Sequence, residues 1–247
     1  MEDNKKKKQI VKNKYAEIAV KNSGCGCSCG CNSSQDISKS IGYSDEDLKM
    51  TEGANLGLGC GNPVAFSKIK KGDTVLDLGC GAGIDCFLAA KKVGENGKVI
   101  GVDMTEEMIN KAKLNAQKAG LKNIEFILAD IENLPVEDNT IDIIITNCVI
   151  NLTPDKTKAF KEAYRVLKAG GKICLSDIVL LKELSEEQKN DEDLLTGCVS
   201  GALLKEDYLR KIKEVGFKVN ILRENKEISE QQYNGIALES LMVEAIK

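Results

Sequence analysis

Three features make this 247-residue chain an α/β protein with a doubly wound, mostly parallel sheet. Short apolar runs alternate with helical segments from Asp73 onward, which is the spacing of successive βαβ units. The first of these runs passes into a glycine turn, Asp77-Leu78-Gly79-Cys80-Gly81-Ala82-Gly83, and then into a helix. The second ends on an acid, Asp103, about twenty residues further on, a position from which a carboxylate can reach both hydroxyls of a ribose.

The elements follow in chain order. Residues Gln9 to Val20 carry apolar positions at Ile10, Val11, Tyr15, Ile18 and Ala19, a pattern for an amphipathic helix ending before Asn22-Ser23-Gly24. The basic run Lys5 to Lys8 reads as a solvated tail. Gly24 to Cys31 alternates cysteine with glycine or serine and offers no side chains for a core, so a mobile loop is expected. Ser44 caps a helix whose first turn holds Asp45, Glu46 and Asp47. Gly53 to Pro63 is too rich in glycine for regular structure. Thr74 to Leu78 and Lys98 to Asp103 are strands, with a helix from Ile84 to Val93 between them. Thr105 starts a helix that Gly120 closes. Ile124 to Leu128, Ile141 to Thr146 and Lys172 to Ser176 are further strands, with a helix from about Asp155 to Leu167 before Gly170-Gly171. Past Leu180 come a polar linker, a helix over Glu206 to Val215, and two apolar runs, Phe217 to Leu222 and Ile236 to Ile246.

Composition narrows the function. With 35 basic and 38 acidic side chains, the chain has no basic face for nucleic acid. No apolar run reaches the ~18 residues a membrane span needs, and no apolar leader opens the sequence, so a cytoplasmic protein is expected. There is no histidine, which excludes Ser-His-Asp, Cys-His and His-metal chemistry. Ten cysteines in a reducing compartment point to thiol chemistry or soft-metal binding instead of disulfides.

The glycine turn lets backbone approach a ligand closely at a helix N-terminus, and Asp103 suits the ribose, so an adenosine-bearing cofactor belongs at the carboxyl ends of the strands. The spacing is Gly-x-Gly-x-Gly, and the acid at its start, Asp77, is unfavourable beside a pyrophosphate but suits a cofactor carrying a sulfonium and an ammonium. These residues resemble the S-adenosylmethionine (SAM) methyltransferase fold of the Rossmann-like, doubly wound type. The resemblance implies cofactor contacts from Asp77, Gly79, Cys80, Gly81, Gly83, Asp103, Met104, Asp130, Ile131 and Asn147, with Asp130 near the adenine amino group and Met104 against the ring.

Among the cysteines, Cys148 lies just past the end of a predicted strand, on the ligand side of the sheet. Cys60 and Cys198 sit in loops of small residues that permit close packing around a ligand, whereas Cys80, Cys86 and Cys174 read as small buried hydrophobes. The blocks Asn55-Leu56-Gly57-Leu58-Gly59-Cys60-Gly61-Asn62-Pro63, Asn147-Cys148-Val149-Ile150-Asn151-Leu152 and Cys198-Val199-Ser200-Gly201-Ala202 resemble the signature blocks of arsenite methyltransferases, over about Val11 to Phe217. The third block departs from the algal and animal pattern at Gly197 and Ser200.

This resemblance implies that Cys60, Cys148 and Cys198 bind As(III), and that one of Cys25, Cys27, Cys29 or Cys31 forms a disulfide during turnover. It implies arsenite, free or thiol-conjugated, as substrate, a thioredoxin or glutathione-type reductant, and a monomer. It also implies a helix and Cys-rich arm over residues 1–44 and a methyltransferase domain over 45–247, whose C-terminal extension, with 181–204, contributes to the arsenic site. Two other functions fit parts of the pattern. One is methylation of a carbon or oxygen on a small organic molecule, as in quinone biosynthesis; the other is thiol-based sequestration of arsenic or metal. The cysteine trio discriminates against the first, and the intact acids Asp77, Asp103 and Asp130 against the second.

Overall fold

The strands are β1 (Thr74–Leu78), β2 (Lys98–Asp103), β3 (Ile124–Leu128), β4 (Ile141–Asn147), β5 (Leu167–Leu180), β6 (Lys218–Asn225) and β7 (Leu238–Ile246). They form one sheet in the order β3-β2-β1-β4-β5-β7-β6, parallel except for β7, which runs antiparallel to both of its neighbours. The structure is a computed structural model that describes residues 2–21 and 33–247. Cys25, Cys27, Cys29 and Cys31, and the loop expected around them, lie outside the described residues.

The order reverses between β1 and β4, so the chain leaves these two strands in opposite directions and a crevice opens at their carboxyl ends. Strand pleating divides the side chains above and below it. Val75 on β1, Val99 on β2, and Ile143 and Ile145 on β4 pack with Phe87 and Ala89 of α5 (Ile84–Val93) and with Met108 and Ala112 of α6 (Glu106–Lys118). On the other face Leu76, Leu78, Ile100 and Ile144 pack with Phe160 of α7 (Lys156–Val166) and Tyr208 of α10 (Lys205–Glu214). The Phe160 and Tyr208 rings meet edge to face, 5.8 Å between centroids.

The N-terminal helix departs from expectation. It runs as α1 (Glu2–Lys21), so Lys5 to Lys8 are helical rather than a loose tail. Its apolar positions explain where it docks: Val11, Ile18 and Ala19 are buried, and the helix lies across α6 and α9 (Glu192–Thr196). Lys111 of α6 donates to the Ala19 carbonyl at 3.1 Å, satisfying one carbonyl of the last turn. β5 is longer than the expected Lys172 to Ser176, because residues Asp177 to Leu180 continue the antiparallel ladder with β7. Its early part swells around Gly170, and the register against β4 jumps from Leu167 to Lys172. Short helices that the sequence did not signal are α2 (Ser34–Ser40), α4 (Pro63–Phe66), α8 (Glu186–Lys189), α9 and α11 (Ile228–Gln232). The expected helix after Ser44 is α3 (Asp45–Met50), with a capping box between Ser44 and Asp47. Among the described residues no helix is long and apolar enough to cross a membrane.

The two-sided core sets a stability expectation. Phe160 is fully buried, and Phe160→Ala is expected to cost about 3–5 kcal/mol, read as a lower urea midpoint at unchanged slope. A loss under about 1 kcal/mol would contradict tight packing of α7 on the sheet.

Candidate active site

A cleft lies over the carboxyl ends of β1, β2 and β4. Asp77, Gly79, Cys80, Gly81, Asp103, Met104, Asp130, Ile131 and Asn147 all line it. Gly83 does not: it begins α5 behind the lining, where an added Cβ would meet the Phe87 ring at 2.9 Å, so its smallness serves packing. Gly79 is held at φ 71° with room for no side chain, since a Cβ would come 2.4 Å from Val149. That places bare backbone against the cleft.

The acids divide into two environments. Asp103 accepts the backbone N–H groups of Gly81 and Thr105, each at 2.9 Å, and so fixes the glycine turn to the end of β2. Burial raises its pKa against those hydrogen bonds. Asp77 is buried, and burial followed by the charge of Asp85 holds its carboxyl well above the ordinary range. The Cys86 thiol donates to its Oδ2 at 3.2 Å and opposes that shift. Asp85, also buried, accepts from the Tyr43 hydroxyl at 2.8 Å; burial still raises it to about 6. Asp130 lies at the far end of the cleft, half-exposed, with Lys8 of α1 at 2.5 Å from it and 2.9 Å from Glu132.

The thiols converge at the same end of the sheet. Cys60 and Cys198 both lie near enough to Cys148 to act on its thiol. Their effect, then burial, pushes its pKa well above the ordinary thiol value. The Cys198 thiol donates to the Cys148 carbonyl at 2.9 Å. The Cys148 side chain favours the Cys198 thiolate, but burial and the charge of Asp177 outweigh this and leave its pKa raised. Cys60 is buried behind the lining, its Sγ 3.5 Å from Ser176 Oγ, so of the three only Cys148 and Cys198 face the open cleft. All three are free thiols. Among the described residues no group of three or more Cys, Asp or Glu is arranged to hold a metal ion.

Backbone geometry marks two of these positions. Cys148 (φ 60°) and Cys198 (φ 67°) are both left-handed, which costs a non-glycine residue about 1–3 kcal/mol and persists where the surroundings over-determine it. Cys148 is held by its N–H to the Ser176 carbonyl at 2.8 Å.

Sequence reading missed several cleft residues. Val11 and Tyr15 of α1 form part of the wall, and the Tyr15 hydroxyl donates to the Thr196 carbonyl at 3.2 Å while lying within hydrogen-bonding reach of the Cys198 thiol. The apolar spacing of α1 was a signal that it docks, though not where. Tyr43 and Asp85 carried no motif. Gln232 and Tyr233 enter from α11 and its end, with no local sign at all.

Known proteins resemble this chain in sequence and in fold. A family model described as a methyltransferase domain matches residues 69–216. An arsenite methyltransferase of Halobacterium salinarum is 42% identical over 228 residues, 87% of this chain and 58% of that protein. The human arsenite methyltransferase is 39% identical over 152 residues, 58% of this chain and 40% of that protein. A solved structure of an arsenic(III) S-adenosylmethionine methyltransferase from Chlamydomonas reinhardtii superposes with a TM-score of 0.65 at 33% identity, over 85% of this chain and 73% of that one. This chain thus spans roughly half the length of the curated relatives it matches. Sheet order and cleft define a methyltransferase-type α/β domain. The chain belongs, within that class, to the arsenite methyltransferase family.

The buried Asp85 gives a pH expectation. Its folded-state pKa of about 6 lies above the ordinary 3.8, so the folded chain holds this proton more tightly than the unfolded chain. The resulting stability is fully present below 3.8 and is lost as pH rises through about 6. Asp85→Asn is expected to flatten Tm against pH across that window, and curves parallel to wild type would contradict the assignment.

Proposed function

We propose that this chain methylates arsenite held by the thiols of Cys60, Cys148 and Cys198, using SAM, as a step in arsenic detoxification. The observation that carries the proposal is the convergence of Cys148 with Cys198 and Cys60, with two of the three facing the same cleft as Asp77, Asp103 and Asp130. An organic substrate gives no reason to assemble three thiols there.

The cleft fits the cofactor on its own chemistry. Asp77 is buried and, among the described residues, its side chain accepts from the Cys86 thiol, and a cationic group beside it restores the charge that burial penalises. Bound SAM supplies a methyl group on a positively charged sulfur, which gives it up to a nucleophile and keeps the bonding electrons. Asp77 holds the ammonium and sulfonium end, Asp103 the ribose hydroxyls, and Met104 and Ile131 the adenine faces. Gly79 and Gly81 leave the backbone open to close approach, and Cys80 and Asn147 complete the wall. Asp130 accepts from the adenine amino group.

The thiols bind arsenous acid by exchange. At each one an S–H and an As–O bond break, an S–As bond forms, and the proton leaves with hydroxide as water. No separate base is required, in keeping with a site that lacks histidine. Cys60 turns from Ser176 toward the cleft to complete the set. Soft sulfur ligands select trivalent arsenic, which retains a lone pair on the face away from the sulfurs. Holding that lone pair in line can be worth roughly 7–11 kcal/mol of barrier. Methylation leaves arsenic pentavalent, and two electrons return when two thiols join as a disulfide. Cys25, Cys27, Cys29 or Cys31, or a thioredoxin or glutathione-type donor, supplies them. Cys60, Cys148, Cys198 and the three acids all come from one chain, in keeping with a monomer, and a chemistry that needs reduced thiols fits a cytoplasmic setting.

Single-turnover transfer from labelled SAM to arsenite, followed by arsenic speciation, tests the proposal. Cys148→Ser and Cys198→Ser are each expected to lower the rate by about a hundredfold or more with SAM affinity within about threefold of wild type. Full activity in either variant would overturn the trio. Asp103→Ala should weaken SAM binding by about tenfold or more, since hydrogen bonds to a charged acceptor are lost. Unchanged SAM affinity in that variant would remove Asp103 from the ribose.

A further inference from the structure

Lys156 stands where neither burial nor helix electrostatics favours a lysine. It is the first residue of α7, at the positive end of the helix dipole, and only 8% of it is exposed. Burial draws its pKa down to about 8 against the opposing charge of Asp177. Its ammonium donates to two backbone carbonyls, Asn151 at 3.2 Å and Thr153 at 3.1 Å. Both belong to the chain that follows Cys148, the 3-10 turn Ile150–Leu152 and the residue that ends it.

That turn is where the loops of Cys148 and Cys198 meet. A Cβ on Gly201 would come 2.1 Å from the Asn151 carbonyl oxygen, so the backbone of the Cys198 loop lies directly against the atom that Lys156 holds. The Cys198 thiol donates to the Cys148 carbonyl at 2.9 Å, a second joint between the same loops. The Asn151 side chain ties the turn to β5, donating to the Ile178 carbonyl at 2.6 Å. Cys148 and Cys198 both sit at positive φ, a conformation that persists only where the surroundings impose it.

We propose that Lys156 is a positioning residue for the arsenic site: by holding the Asn151 carbonyl it fixes the Cys148 turn against the Cys198 loop, and so sets the spacing of the two thiols that face the cleft. Lys156 does not itself line the cleft. The inference rests on the reading of Cys148 and Cys198 as arsenic ligands. When arsenous acid joins both thiols, two S–H and two As–O bonds break, two S–As bonds form and two waters leave; no electrons move. The second bond gains from the first only if the second thiol already stands at the right distance. Dimethylarsinous acid has one exchangeable oxygen, so one S–H and one As–O bond break, one S–As bond forms and one water leaves. It needs a single thiol and is blind to the spacing.

The experiment is equilibrium dialysis of each arsenical, without cofactor and in a phosphine reductant that contributes no thiol, and of labelled SAM without arsenic. The protein is the full-length chain with Ser replacing Cys25, Cys27, Cys29 and Cys31, alone or with Lys156→Met or Gly201→Ala. Lys156→Met keeps the length of the side chain and drops its donors, whereas Gly201→Ala displaces the loop from the same carbonyl with Lys156 intact. Each is expected to weaken arsenite binding by about tenfold or more, with dimethylarsinous acid and SAM within about twofold. If Lys156→Met does not fold, Gly201→Ala must still show this split. Arsenite affinity unchanged in either variant would overturn the inference, and so would equal losses for both arsenicals or a loss of SAM binding, which mark a general structural role. A parent chain that binds arsenite no more tightly than dimethylarsinous acid would instead strike the reading of the thiols as a joint arsenic site, and this inference with it.

Discussion

Asn147 ends β4 with an amide whose hydrogen-bonding groups are all in use, and the ligand side of the molecule is organised around it. Its Oδ1 accepts the Cys60 N–H at 3.0 Å, and its Nδ2 donates to the Gly61 carbonyl at 2.6 Å and to the Tyr43 hydroxyl at 3.0 Å. Tyr43 in turn donates to Asp85, which is linked by charge to Asp77. One side chain therefore binds the thiol loop to the buried acids. A satisfied buried network of this kind is stiff, since breaking any member strands another in low dielectric. The neighbouring Gly59 (φ 110°) belongs to the same constraint, because a Cβ there would meet Asn147 Nδ2 at 2.7 Å.

The parallel half of the fold was legible because buried strands such as Thr74–Leu78 and Lys98–Asp103 are short apolar runs with nothing else to be. Cys148 and Cys198 could be singled out from loop composition and family blocks. The positive φ at both, and the closeness of Cys148 to each of the other two, depend on tertiary pairing that no local pattern encodes. The need for a glycine at 83 was equally hidden, since it comes from the Phe87 ring that a Cβ there would meet. The tail of β5 was hidden because its partner, β7, arrives some sixty residues later.

α1 is where sequence reading fell furthest short, and also where cleft and chain terminus meet. Lys5 to Lys8 looked like solvated charge, yet Lys8 bridges Asp130 and Glu132 while Tyr15, two turns on, lies beside Cys198. One helix thus touches both ends of the cleft. Burial of Val11, 1% exposed, stabilises the docked helix by about 1.5–3 kcal/mol.

The claim that three thiols of one site hold arsenic is tested most directly by arsenic X-ray absorption on the SAM-saturated protein with one equivalent of arsenite. Arsenic is expected to be coordinated by three sulfurs and no oxygen, changing to mixed sulfur and oxygen coordination in Cys60→Ser. Oxygen bound to arsenic in wild type, or coordination indifferent to Cys60→Ser, would contradict the three-thiol site.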